Sequence, residues 1–285
     1  MRFQKLLVTA FAFAAAGVAH AFVPQTGTWV VTSELDGKPG RGLAIDVQND
    51  VFVMQMYAYE SNGHPTFYLA TGRLANDQVS APLIRYAGGR FLGSGAQSGQ
   101  EAGNAGIARF RFTSGVTGFV TLPGESEKAI SRFNFGYAFV ASSLRGIWNL
   151  TSMGSLGLTS EVINLTQSGG STSTGNGLMA TSDGLFGCEH QVSGGLAGTV
   201  LCVRINSQGQ VQRGYQFVYS VNEGEGYLLN ANGSYTNQLV TVRRLTTPAT
   251  VGTGIVFKEG EQAATNLSLL EQTLDAIARE AAAAQ

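Results

Sequence analysis

Ile107-Ala108-Arg109-Phe110-Arg111-Phe112 alternates without a break. Ala108, Phe110 and Phe112 fall on one side of an extended chain, and Arg109 and Arg111 fall on the other, because successive side chains of a strand point to opposite faces. That period of two predicts a strand buried on one face. The same alternation runs through Val211–Val221, where Val211, Tyr215, Phe217, Tyr219 and Val221 share a face. It recurs in Ser131–Phe139, where Phe133, Phe135, Tyr137 and Phe139 make an aromatic row. Val51–Tyr59 is apolar on both faces, with Phe52, Met54 and Met56 on one and Val51, Val53, Tyr57 and Tyr59 on the other. It is expected to be covered on both sides, by a second layer or a second domain, with exposure of one side to a partner or ligand as the alternative.

Working outward, short apolar runs alternate with Gly, Asn, Ser and Asp clusters roughly every ten residues, the rhythm of an all-β barrel or sandwich. Glycine supplies 38 of the 285 residues without a collagen-like period, which fits a chain rich in turns. Strands are expected near 27–33, 41–48, 51–60, 65–75, 78–87, 107–113, 115–122 and 129–140. A second set is expected near 146–152, 158–167, 175–182, 184–192, 197–206, 210–221, 225–231 and 238–246. The sets open on Gly27-Thr28-Trp29 and Gly146-Ile147-Trp148 and otherwise show no similarity that would make a repeat. The reading is of a mostly β chain with two tandem antiparallel barrel- or sandwich-like domains, 22–143 and 144–247. One continuous β-domain is the competing arrangement. The polar stretches Gly93–Gly106 and Ser168–Gly177 read as surface loops, and their composition favours flexible spacers over lids.

After a linker at 248–260 the character changes. Residues 261–285 hold no proline or glycine and predict a C-terminal helix. Leu267, Leu270, Leu274, Ile277 and Ala281 recur at steps of three and four, one apolar stripe. Docking on the protein's own core is the favoured use of it. Association with a partner or a second copy through Leu267, Leu270, Leu274 and Ile277 is the alternative.

The first residues read as a signal peptide, 1–21. Arg2 and Lys5 precede the apolar run Leu6–Val18, which is too short to span a bilayer, and Ala19-His20-Ala21 is a small-x-small cleavage site. The expected compartment is the periplasm or the external medium, and no transmembrane helix is expected after cleavage. Removing Arg2 and Lys5 takes the basic residues from 18 to 16 against 19 acids, so net charge moves from −1 to 16 − 19 = −3. That balance offers no basic footprint for nucleic acid. In an oxidising compartment Cys188 and Cys202 are expected to form a disulfide across a hairpin centred near Gly195.

A resemblance narrows the source. Gly27-x-Trp29, Gly40-Arg41-Gly42-Leu43-Ala44-Ile45, Tyr57-x-Tyr59, Gly63-His64-Pro65-x-Phe67-Tyr68 and Gly72 resemble an exported β-domain of Gram-negative bacteria, of the form G-x-W, S-G-x-G, Y-x-Y, G-x-P-x-W-Y, G. The likeness covers about residues 27 to 90. It departs at Pro39, where serine is usual, and at Phe67, where tryptophan is usual. It implies a bacterial exported β-protein and carries no catalytic residue. A weaker resemblance, through Gly-x-Trp and the strand count, is to lipocalins and avidins. It implies an eight-stranded barrel that holds one small ligand or fills its own interior.

Chemistry is sparse. No nucleophile elbow, phosphate-binding loop or metal-ligand spacing occurs, and no cofactor is called for. His64 lies in the turn Asn62–Pro65 and reads as surface. His190 shares a strand face with Cys188, but a disulfide removes that dyad. Glu34 with Asp36, and Glu125 with Glu127, are carboxylate pairs beside turn residues and read as solvated. Tyr57, Tyr59, Phe67 and Tyr68, on neighbouring strands, are the candidate binding residues. Such rings stack on sugars or ring-shaped small molecules, with ordinary core packing as the competing use. The resulting reading is a non-enzymatic exported binding protein for a small molecule or glycan. The rivals are an envelope assembly protein working through its C-terminal helix and a hydrolase without a recognisable motif. Expressed with its leader in a Gram-negative host, the mature chain should begin at Phe22 in intact-mass spectrometry, and retention of residues 1–21 would sink the export reading.

Overall fold

The structure is a computed structural model describing residues 23–246 and 264–283. The signal segment 1–21 and the linker 248–260 fall outside the described residues. Two antiparallel β-units follow one another, and a single helix ends the chain.

The first unit is a closed barrel. Its strands are β1 (Gly27–Val31), β2 (Gly42–Gln48), β3 (Val51–Tyr59), β4 (Pro65–Arg73), β5 (Gln78–Ala87), β6 (Gln100–Phe112), β7 (Thr117–Thr121) and β8 (Lys128–Arg132), paired in chain order with β8 returning to β1. Its interior is packed with Trp29, Phe52, Met54, Phe110 and Phe112 among others.

The second unit is a nine-stranded sheet curled into a half-barrel. It comprises β9 (Gly146–Gly154), β10 (Gly157–Leu165), β11 (Gln167–Ser168), β12 (Gly175–Ala180), β13 (Phe186–Gln191), β14 (Val200–Ile205), β15 (Val211–Ser220), β16 (Glu223–Leu229) and β17 (Tyr235–Arg244). β9 pairs with both β10 and β17, as β1 pairs with both β2 and β8. The chain runs from β10 through Thr166 into β11, which pairs with β12, so one bent stretch joins the sheet's two ends. Cys188 and Cys202 face each other across β13 and β14 and are bonded.

The first strand of each unit begins with the same device. Gly27 and Gly146 take left-handed φ values of 136° and 127°, turning the following tryptophan inward. Trp29 Nε1 donates to the Gln25 carbonyl at 2.9 Å, and Trp148 Nε1 donates to the Leu144 carbonyl at 2.8 Å. Across the closing strands Trp29 is paired with Arg132, and Trp148 with Arg244.

Several expectations change. Ser131–Phe139 is not a strand beyond Arg132, and Phe135 is 80% exposed. There the chain leaves the barrel to reach the second unit, so its alternation has no sheet to serve. Val51–Tyr59 is covered on one face only: Phe52, Met54, Met56 and Ala58 are buried while Tyr57 and Tyr59 are exposed. Val211 does not share a face with Tyr215, because the register slips between Arg204 and Ile205 and Val211 packs with the outer core. Val221 lies past the strand end at a left-handed φ of 57°. Gln100–Gly106, read as loop, extends β6 into a long hairpin. The Ser168–Gly177 stretch is no free spacer. Its backbone amides at Thr172 and Gly177 donate to the buried Glu189, and those at Gly170 and Ser173 donate to Glu271 and Asp275 of the helix.

That helix, α1 (Ala264–Ala283), lays Leu267, Leu270, Leu274, Ile277 and Ala281 against the outer face of the second sheet, on Leu178, Leu196, Leu201, Val203, Ile205 and Leu229. Docking on the protein's own sheet is therefore what the stripe does. As placed, it is covered and presents nothing to a partner. Leu274→Ala should cost about 2–5 kcal/mol, the range for an emptied leucine site, read as a lowered urea midpoint with unchanged slope.

Candidate functional site

β3, β4 and β5 lie side by side on the outer wall of the first barrel, and strand alternation decides what each contributes. On β3 the even residues face the core, so Gln55, Tyr57 and Tyr59 face out. The register pairs Tyr57 with Phe67. β4 and β5 pair Tyr68 with Arg85 and Leu69 with Ile84, and one further step places Tyr86 beside Phe67. Tyr57, Phe67 and Tyr86 thus form a row across three strands, about 4.8 Å apart in the pairing direction. Gln55, Leu69 and Gly99 complete an open groove of about 520 Å³. Tyr57 is 57% and Phe67 47% exposed. The groove has no charged lining residue. Its polar groups are the phenols of Tyr57 and Tyr86 and the Gln55 amide, which meets the Tyr57 hydroxyl at 3.4 Å.

The four aromatics singled out by sequence do not form one patch. Tyr57 and Phe67 share the outer groove. Tyr68 points the other way and packs on the core, because it is one residue out of phase with Phe67. Tyr59 and Tyr68 instead line the barrel mouth with Arg41, Met56, Leu83 and Glu125, around a cavity of about 220 Å³. Tyr86 and Gln55 escaped the sequence reading. Tyr86 ends a strand whose register against β4 is visible only in three dimensions, and a glutamine carries no motif.

The mouth also rearranges the carboxylates. Glu34 pairs with Glu125, not with Asp36, because barrel closure brings the segment after β1 beside the loop before β8. Arg41 bridges the two, with its Nη2 2.9 Å from Glu125 and two shorter contacts to Glu34 and Glu125. Lys128 Nζ lies 2.7 Å from Glu125 and 3.2 Å from Glu34. Hydrogen bonding from Arg41 holds the Glu125 carboxyl down at about 2. Both acids are ionised and matched by two cations, an arrangement that ties the mouth and leaves neither carboxyl poised to protonate a leaving group.

His64 is exposed, its backbone amide donating to Asn62 Oδ1 at 2.9 Å. His190 is fully buried in the second unit, 3.0 Å from the Tyr219 hydroxyl through Nε2 and under the Phe139 ring at 4.1 Å. Burial, with help from the nearby Arg244 charge, depresses its pKa from the ordinary 6.5 to about 4. Cys188 is committed to its disulfide and offers no thiolate. Compared with protein-family models, with curated proteins and with solved structures, the chain matches none of them.

Two acid-sensitive windows follow. A histidine whose folded pKa is depressed leaves the unfolded chain binding the extra proton, so stability falls as pH drops from 6.5 toward about 4. The depressed Glu125 contributes stability that is complete above the ordinary 4.5 and is lost as pH falls toward about 2. Urea midpoints measured across both windows should decline in each. His190→Gln should flatten the upper window and leave the lower one, and an unaltered upper window would remove His190 as its cause.

Proposed function

We propose that the protein is exported to the periplasm or the external medium and binds glycan chains on the outer wall of its first barrel. The observation that carries this reading is the aromatic row Tyr57–Phe67–Tyr86. Rings offered face-outward on a rigid sheet stack on the C–H faces of sugars at low entropic cost. The phenols and the Gln55 amide add hydrogen bonds that suit hydroxyl groups. An open groove without charge fits a neutral chain laid across the strands better than a small molecule enclosed on all sides. The barrel supports the same choice, since the cavity at its mouth, about 220 Å³, is smaller than the outer groove of about 520 Å³ and is bordered by the Arg41–Glu125 ion pair. Export rests on the leader sequence and on the Cys188–Cys202 bond, which an oxidising compartment preserves.

Affinity electrophoresis of the mature protein, in gels cast with a panel of neutral polysaccharides, tests the reading. At least one polysaccharide should retard the wild-type chain. Tyr57→Ala and Phe67→Ala should each weaken that retardation by up to about tenfold and leave the thermal midpoint unmoved, since both rings are largely outside the core. If no member of the panel retards the protein, or if the double variant is retarded as strongly as wild type, the proposal fails.

A further inference from the structure

The two units meet along a narrow polar seam. Gln25 Nε2 donates to the Glu223 carbonyl at 2.9 Å and to Glu225 Oε2 at 3.3 Å, and Ser220 donates to Asn134 Oδ1 at 2.5 Å. Beside the Gln25–Glu225 contact lies a cleft of about 360 Å³ to which both units contribute. The first barrel supplies Asp77, from the left-handed turn between β4 and β5, and Thr113 and Ser114, from the turn after β6. The second unit supplies the outer face of β15 and β16. There Gln216 is paired with Tyr227, and Val218 with Glu225.

Glu225 is the unusual member. The other buried or partly buried carboxylates compared with it are each met by two cations or two backbone amides. Glu34 and Glu125 share Arg41 and Lys128, Glu161 meets Arg204 and Arg213, and Glu189 takes the amides of Thr172 and Gly177. Glu225 Oε1 is buried without a hydrogen-bond partner, wedged against Gly115, where a Cβ would collide with the carboxylate. Oε2 accepts the long bond from Gln25, and beyond that the carboxylate has only the Gly115 backbone amide beside it. No Lys, Arg or His lines the cleft. Glu225 also borders a second cleft, of about 570 Å³, whose Arg243 is engaged by Glu223 at 2.7 Å. Burial, with help from the neighbouring Glu223 charge, pushes the Glu225 carboxyl above its ordinary value, opposed by the Gln25 side-chain amide and the Gly115 backbone amide. Its charged form therefore has much to gain from a positive partner.

We propose that this cleft is a second binding site and that its ligand is a small organic ammonium ion, with Glu225 as the anchoring carboxylate and Asp77 as the second. Gln216, Thr113 and Ser114 supply acceptors for further N–H groups, and Val218 and the Tyr227 ring receive the carbon skeleton. The apolar walls favour an organic cation over a metal ion, and among the described residues no group of three or more His, Cys, Asp or Glu side chains could hold a metal. The site is independent of the glycan groove, and either can fail without the other.

Titration calorimetry of the mature full-length protein at neutral pH decides it, with 1,4-diaminobutane, benzylamine and choline as probes. 1,4-Butanediol and benzyl alcohol serve as uncharged counterparts. At least one amine should bind about tenfold or more tighter than its neutral counterpart. Glu225→Gln should weaken that amine by about tenfold or more. Asp77→Asn, which keeps a residue that accepts the left-handed turn, should weaken it by less. Circular dichroism confirms that each variant is folded. Should Glu225→Gln unfold, Asp77→Asn and a cleft-filling Thr113→Trp carry the test, and both must weaken binding. The proposal is overturned if none of the amines binds, if amines and alcohols bind alike, or if the folded variants bind as wild type does. It is also overturned if calcium chloride displaces the amine and itself binds in a Glu225-dependent manner.

Discussion

Pairing of the first strand with the last is the constraint that both units share, and in the first unit it closes the barrel. A meander of β-strands has two open edges, each a row of unpaired backbone groups, and only closure removes them. In the first unit β1 meets β8 with Trp29 opposite Arg132 and no edge remains, whereas in the second β9 meets β17 with Trp148 opposite Arg244 and β10 and β11 are left as the ends of the half-barrel. The arginines face partners other than carboxylates here. Arg132 donates to the Thr28 carbonyl at 2.9 Å. Arg244 is almost fully buried, donates to the carbonyls of Ser143, Arg145 and Val221, and lies 4.0 Å from the Trp148 ring and 4.7 Å from the Tyr137 ring. A guanidinium has five donors and no acceptor, so carbonyls and ring faces can satisfy it without a counter-ion. Burial depresses the pKa of both arginines from a high starting value, which leaves them charged and able to keep those contacts.

This closure explains what the sequence made legible. Gly-x-Trp at residues 27–29 and 146–148 marked the start of each unit, because a left-handed glycine and an inward tryptophan are local requirements. The alternation of Ile107–Phe112 and the stripe of α1 were legible for the same reason. Each is a pattern imposed by one element against one core face. The Cys188–Cys202 pairing followed from a symmetrical hairpin whose turn residues are local. The Arg132 and Arg244 partners carried no such sign, since an arginine at a strand end is unremarkable until the first strand lies beside it.

The misreadings have one physical origin. Period-two alternation reports that a residue alternates, not that a neighbouring strand exists to receive it. Phe133 to Phe139 alternates in a segment that crosses between units, and Tyr137 and Phe139 spend their rings on Arg244 and His190 instead of on a sheet face. Val211 alternates correctly until a register slip reverses it. Glu34 and Glu125 sit far apart in the chain and become neighbours only through closure, so their ion-pair cluster had no sequence spacing to betray it. The Gly/Ser/Thr stretch 168–177 looked flexible by composition. Its backbone amides answer carboxylates on β13 and α1 that composition cannot place.

The same reasoning bears on where binding belongs. Both interiors are occupied largely by their own side chains, which favours an outer wall or the space between the units as the place where a ligand is met. Along β3 and β4 the inner face follows the expected rule, with Phe52, Met54, Met56 and Ala70 buried. The outer face breaks it, placing Tyr57, Tyr59 and Phe67 in solvent. Aromatic surface left exposed gives up the burial that makes such residues stabilising, and it adds a liability toward aggregation on a neighbouring sheet. About half of each of these side chains lies in solvent, outside the barrel's core. A local rule broken in adjacent strands, with no compensation inside the fold, is where a requirement other than folding is expected to act. That is why the outer row, rather than the better-packed Tyr68 or the ion-paired mouth, carries the functional reading.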